Sequence, residues 1–214
     1  MFNRITAVDK IRKKLKENKV SIGSWMQLNS PDVAEIMGKA GFDWVAVDME
    51  HGSISNSDLP NIFRALELGG TLPMARIAEG TLSNCKQALE GGAGGIVAPM
   101  IMEAEKLEQV INWCCWPPKG IRGVGYSRAN LYGKHFESYK NEAQTPIIIA
   151  QIEHIKAFEN LESILSVDGL DATIIGPYDL SASMGLTGKL DHPDVLDVCK
   201  KILLYIPDSL PGNR

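Results

Sequence analysis

One cadence governs this chain: a short, almost uniformly apolar run, then a loop, then a stretch with apolar residues at helical spacing, repeated along its length. Runs that are apolar at consecutive rather than alternate positions belong to strands covered on both faces, as in a parallel sheet wrapped by helices. The runs are 20–26, WVAVDM at 44–49, TLPMARI at 71–77, GGIVAPM at 94–100, PIIIAQIE at 146–153 and DATIIGP at 171–177. Helices are predicted at 9–18, then after Ser30 as cap and Pro31 in the first turn, with Val33, Ile36 and Met37 on one face and Gly41 as the stop. Further helices are predicted around Ile62, Leu66 and Leu68 and at 82–90, 103–115, 157–165 and 193–205. The segment 117–145 breaks the cadence; its length predicts a functional loop or short helices of its own.

A regular βα series folds as a doubly wound sheet or as a barrel. The first class often carries a glycine-rich phosphate loop after its opening strand, but GSWMQLNSP does not match G-x-G-x-x-G and no P-loop occurs. In a barrel, the chemistry sits at the C-terminal ends of several strands. Here Asp48, Glu50 and His51 close the second run, Arg76 the third and Glu153 the fifth, while Asp179 follows the sixth by a short turn. The expectation is a single (β/α) barrel domain over residues 1–214 with about six βα units. A complete eightfold barrel takes about 250 residues, and the tail LYIPDSLPGNR holds no seventh strand, so the barrel is expected to be shortened at its C-terminal end.

With 44% hydrophobic and 22% charged residues, the 214-residue chain can bury a substantial core. The 22 basic and 26 acidic residues leave a net charge of −4, no footprint for nucleic acid, so a small-molecule partner is expected. No apolar run reaches a membrane-spanning length, and the basic, amphipathic N-terminus lacks the features of a secretory signal; a cytoplasmic protein is expected. Cys85, Cys114, Cys115 and Cys199 lack C-x-x-C spacing and read as free thiols, the vicinal pair buried at a helix end.

Glu153 and Asp179 each punctuate an apolar strand, where a carboxylate is costly unless paired or bound to a cation. Two carboxylates with waters and a chelating substrate suit Mg2+ or a similar hard ion; ordinary loop residues or a helix cap at Asp179 are the plain alternative. Arg76 can hold an anionic or enolate oxygen, or form an inter-strand salt bridge. His51 beside Asp48 and Glu50 is a candidate general base, since a carboxylate partner orients an imidazole. The stretch 119–133, with four glycines, two arginines and two tyrosines, reads as a substrate lid or anion-binding loop, or as a solvated connection.

The segments GFDWVAVDMEHG (41–52), ARIAEG (75–80), PPKGIRGVG (117–125), AQIE (150–153) and IIGPYDLSASMG (174–185) together resemble the HpcH/HpaI aldolases, metal-dependent pyruvate aldolases, from about residue 20 to about residue 200. The resemblance implies a TIM barrel of the phosphoenolpyruvate/pyruvate superfamily type. It implies Glu153 and Asp179 as ligands of Mg2+, Mn2+ or Co2+, and pyruvate chelating that ion. It further implies Arg76 on the keto or enolate oxygen, His51 supported by Asp48 as the proton-moving base, Gln151 lining the site, and backbone N–H groups around Gly176 and Asp179 for the pyruvate carboxylate. The activity implied is reversible cleavage of a 4-hydroxy-2-oxo acid to pyruvate and an aldehyde; a related enolate-chemistry lyase, a citrate-type condensing enzyme or an inactive shortened form is the alternative. A homo-oligomer, hexameric in the family, is implied as well. No lysine lies inside the assigned strands, which weighs against an imine mechanism. Met49 stands where many relatives have Gly, and Glu90 where they have an Asp that reaches the histidine across a subunit contact.

Overall fold

Every apolar run forms a strand in the computed structural model, which describes residues 2–209. The strands β1 (Gly23–Met26), β2 (Trp44–Asp48), β3 (Leu72–Arg76), β4 (Gly95–Ala98), β5 (Ile147–Ile152) and β6 (Ala172–Ile175) form one parallel sheet in chain order. A doubly wound sheet reverses its order at a switch point. This sheet never reverses, so it winds one way, as a barrel wall does. Among the described residues, β1 and β6 each pair with one strand.

Helix α1 (Arg4–Lys16) begins earlier than the sequence suggests, because the Asn3 side chain caps it by accepting the Thr6 N–H at 3.1 Å. Its Val8 and Ile11 pack with Ala46, Leu72, Met74, Val97, Ile147 and Ile149 against one face of the sheet. Arg12 donates to Asp171 at 2.6 Å and to the carbonyls of Thr145 and Pro146, while Lys14 donates to Asp43 at 2.7 Å, all just ahead of β5, β6 and β2. Helix α1 therefore plugs the inner face at the N-terminal ends of the strands and leaves the C-terminal ends open.

The other face is covered by α2 (Pro31–Lys39), α3 (Leu59–Gly69), α4 (Leu82–Gly91), α5 (Ala104–Cys114), the pair α7 (Ile155–Glu159) and α8 (Leu161–Leu165), α9 (Pro177–Ser183) and α10 (Pro193–Ser209). The expected face of α2 is corrected: Ile36 is 70% exposed, and Ala34 and Gly38 are the fully buried positions. A methyl at Gly38 would stand 2.9 Å from the Leu66 carbonyl oxygen, so α2 approaches α3 through small residues, and Ile36 is turned outward. Leu68 of α3 is likewise exposed.

Segment 117–145 contains a 3-10 turn (Arg128–Gly133) and α6 (Phe136–Glu142). Two of its residues anchor it while Tyr126 and Tyr132 stay exposed: Arg122 is fully buried against the Trp116 and Tyr139 rings, and the buried Asn130 side chain accepts from Ser127 and Gly133 N–H. A cavity of about 560 Å³ lies at the N-terminus of α1, lined by Arg4, Arg64, Glu67, Arg128 and Glu142 among others. Its buried charges pair with one another, Arg4 with Glu142 and with Glu67 at 2.8 Å, and Arg128 with Glu67, which makes it a structural cluster at the end opposite the strand C-termini. All four cysteines are free. Among the described residues no helix is long and apolar enough to cross a membrane.

Candidate active site

Side chains alternate along a strand, so each inner stripe that begins apolar must end at the open mouth. In β2 the stripe is Trp44, Ala46, Asp48; in β3, Leu72, Met74, Arg76; in β5, Ile147, Ile149, Gln151 and then Glu153 beyond the strand end. An apolar layer over α1 thus gives way to a polar layer at the mouth, as in a layered barrel interior.

Asp48 and Arg76 are direct register partners. Arg76 Nε donates to Asp48 Oδ1 at 2.9 Å and Nη2 donates to Oδ2, a bidentate pair whose carboxylate is fully buried. Gln27 Nε2 donates to Asp48 Oδ2 at 2.9 Å, and the main-chain N–H groups of Glu50 and His51 donate to Oδ1 at 3.1 Å. Burial alone would push the Asp48 carboxyl up, but hydrogen bonds from Arg76, Gln27 and the His51 N–H outweigh it and hold it down at about 2. Arg76 thus realises the inter-strand salt bridge and still points its remaining nitrogen, Nη1, to within 3.3 Å of Glu50 Oε2. That Glu50 oxygen is buried and out of line for a hydrogen bond.

The expectation that Asp48 supports the His51 imidazole is corrected. Asp48 takes the His51 main-chain N–H, its oxygens being filled by Arg76, Gln27 and the turn, and the His51 residue is exposed. A second correction concerns Gly176, whose N–H donates to the Ile152 carbonyl at 3.1 Å and is spent in extending the β5–β6 pairing. What Gly176 provides is space: a methyl there would stand 2.5 Å from Glu153 Oε2 and 3.4 Å from Gln151 Nε2.

Glu153 is 1% exposed. Its Oε1 accepts the Met100 N–H at 2.7 Å and its Oε2 accepts from the Gln151 amide. Met100 holds a left-handed backbone, φ 52°, a strained conformation for this residue type that aims its N–H at the carboxylate. Burial pushes the Glu153 carboxyl up, the negative charge of Asp179 adds to the rise, and the Met100 and Gln151 hydrogen bonds and the Arg76 charge oppose it. Glu50 is also raised, by burial first and by the Glu153 charge next. Asp179 lies in the first turn of α9, whose cap position, Gly176, makes no side-chain cap bond; Asp179 is exposed and close enough for its charge to act on Glu153.

This donor set fits a hard divalent cation: it is all oxygen, the buried Glu153 carboxylate is met by neutral donors, and Gln151 Oε1 is buried without a hydrogen-bond partner. Among the described residues no three of His, Cys, Asp and Glu form a ready-made metal cluster; the carboxylates whose charges act on Glu153 and Glu50 are Asp179 on the first and Glu153 on the second. Sequence alone does not single out Trp25 of β1, Gln27 just beyond that strand's end, which continues the inner stripe of Gly23 and Trp25, or the Met100 N–H. The period of two along β1 could have found the first pair; a main-chain donor leaves no side-chain signal.

A pH consequence follows for Asp48. Its folded value of about 2 lies below the unfolded value of about 3.9, so its stabilisation is complete above about pH 4 and is lost as pH falls toward 2. Asp48→Asn is expected to lower unfolding free energy on the order of 2 kcal/mol at pH 6, with the gap closing toward pH 2. Urea unfolding of both proteins across that range checks it.

A one-way parallel sheet with its polar layer confined to the strand C-termini defines a barrel-type enzyme. The chain belongs to the HpcH/HpaI aldolase/citrate lyase family, whose model matches residues 21–207, a family of carbon–carbon lyases. It is 38% identical over 202 residues to a hydroxypyruvate/pyruvate aldolase of Roseobacter denitrificans, covering 92% of this chain and 78% of that one. It is 37% identical to a 2-keto-3-deoxy-L-rhamnonate aldolase of Klebsiella pneumoniae, covering 90% of this chain and 73% of that one. Among solved structures, an HpcH/HpaI aldolase/citrate lyase family protein from Burkholderia cenocepacia superposes with a TM-score of 0.88 at 28% identity, over 95% of this chain and 82% of that one.

Proposed function

We propose that this chain, as one (β/α) domain, is a divalent-metal-dependent aldolase that cleaves a 4-hydroxy-2-oxo acid to pyruvate and an aldehyde. The observation that carries the reading is Glu153: a buried carboxylate with a raised pKa, beside Asp179 and in the same polar layer as an arginine locked by Asp48. Glu153 and Asp179 would hold Mg2+, Mn2+ or Co2+, which when bound supplies Lewis-acid stabilisation of charge on the substrate oxygens.

The protein's own groups do the rest. Arg76, with Nε and Nη2 committed to Asp48, has Nη1 ion-paired with Glu50 at 3.3 Å but not hydrogen-bonded to it, and this nitrogen would meet the 2-oxo oxygen as it gains negative charge. His51 takes the 4-hydroxyl proton; the C3–C4 bond breaks, its electron pair moves into the enolate, the aldehyde leaves, and a proton returned to C3 yields pyruvate. Gln151 and the side-chain-free Gly176 keep the floor of the site level beside Glu153. No lysine occurs in β1–β6 to form an imine. The proposal extends to a cytoplasmic homo-oligomer: the exposed His51 suits a reading in which Glu90 of a second copy orients its ring.

The test is pyruvate release from 4-hydroxy-2-oxo acids, with and without a chelator. Activity is expected to vanish in EDTA and return with added Mg2+, Mn2+ or Co2+. Cleavage that persists in EDTA, or that borohydride traps as a covalent adduct on lysine, overturns it.

A further inference from the structure

The β1 stripe builds a column beneath the arginine. Gly23 is the register partner of Trp44, and a methyl at Gly23 would fall inside the Trp44 indole, so only glycine lets that ring lie where it does. Trp44 meets Trp25 edge-on, with centroids 6.5 Å apart and planes at 89°. Trp25 in turn presents its face to the Arg76 guanidinium, whose Cζ lies 4.6 Å from the ring centroid.

A guanidinium has two edges, an end and two faces. Asp48 takes the Nε/Nη2 edge, and Nη1 is the end turned toward Glu50. Trp25 covers a face that water would otherwise hydrate. Water on that face would screen the charge and let the plane tilt about the Asp48 carboxylate; an indole there attracts the cation and dries it. Trp25 is itself 39% exposed at the mouth.

We propose that Trp25 is a positioning residue for Arg76: its ring fixes and desolvates the guanidinium so that Nη1 meets the oxygen of the bound 2-oxo acid. This rests on the reading of Arg76 given above. Ring electronics, rather than ring size, then set the affinity for a planar oxo-acid anion.

The test uses the full chain with Mn2+ and replaces Trp25 site-specifically by mono-, di-, tri- and tetrafluorotryptophan, which weaken the ring's attraction for a cation at nearly constant shape. Oxalate, a planar dianion of the same donor geometry, is the probe, with its Kd read by calorimetry. Kd is expected to rise stepwise across the series, by about three- to thirtyfold in total, with Trp25→Phe intermediate, Trp25→Leu at the weak end, and Mn2+ affinity without oxalate unchanged. A flat series alongside an Arg76→Ala variant that loses oxalate overturns the role of Trp25 while sparing the reading of Arg76. Unchanged oxalate affinity in Arg76→Ala sinks that reading and this proposal with it. Should Trp25→Leu fail to fold, the fluorinated series still decides.

Discussion

Glu153→Gln is expected to cut metal-dependent pyruvate release by about a thousandfold or more in kcat/KM, while leaving the metal-free protein at least as stable as wild type at pH 7. The two halves have one cause. The wild-type carboxylate is 1% exposed and hydrogen-bonded by neutral donors, with Asp179 adding like charge, so its ionised form is held at a cost. A cation removes that cost, and a loss of about 4 kcal/mol of Lewis-acid stabilisation is about a thousandfold in rate. The amide keeps an acceptor for the Met100 N–H but gives up the charge. Because the folded carboxyl is raised above its unfolded value, metal-free wild type loses stability as pH climbs from the unfolded value through the folded one, and the penalty is complete above it. The glutamine variant is expected to lack that decline. Unfolding in EDTA between pH 4 and 8, beside pyruvate release in Mg2+, checks both halves. A variant within tenfold of wild type, or one whose activity and stability fall together, contradicts the assignment.

The strands were legible because burial on both faces writes itself as consecutive apolar residues. Where burial is one-sided, the reading blurred. The run 20–26 forms a strand over Gly23–Met26 only, since Val20 is 75% and Ile22 59% exposed beside a strand that, among the described residues, has a single partner. Periodicity puts Ile36 on the buried face of α2, but the close approach of Gly38 to α3 is a long-range fact that periodicity cannot carry. The predicted helix 157–165 is two short helices meeting at Asn160, whose amide donates to the Met102 carbonyl at 2.9 Å. That partner lies outside any local window.

The residues of the site were legible one by one, and their partnerships were not. A polar residue ending an apolar strand is visible in the sequence, which is how Asp48, Arg76, Gln151 and Glu153 stand out. Register is not visible: the placement of Asp48 opposite Arg76 gives the carboxylate to the guanidinium and withholds it from the His51 ring. The family resemblance makes Gly176 a main-chain donor, and the structure makes it the position where a side chain would strike Glu153.

Arg76→Lys is expected to lower kcat/KM by about a hundred- to a thousandfold, the range associated with removing one preorganised donor at a developing oxyanion. Charge is conserved in this exchange, so a mere cross-strand ion pair would tolerate it. The two roles Arg76 fills at once would not: two nitrogens grip Asp48 while a third, fixed by the same plane, is presented at the mouth. An ammonium is a point charge and, seated on Asp48, has no rigid second arm to offer. The loss is therefore expected mainly in kcat, beyond repair by more substrate, because the contact strengthens as the oxygen gains charge. Arg76→Ala is expected to regain part of its activity with millimolar guanidinium, which can occupy the slot between Asp48 and the Trp25 ring, and none with ammonium. Lysine within threefold of wild type, or equal rescue by both cations, would leave Arg76 as a strut between β2 and β3 and hand the oxygen to some other donor.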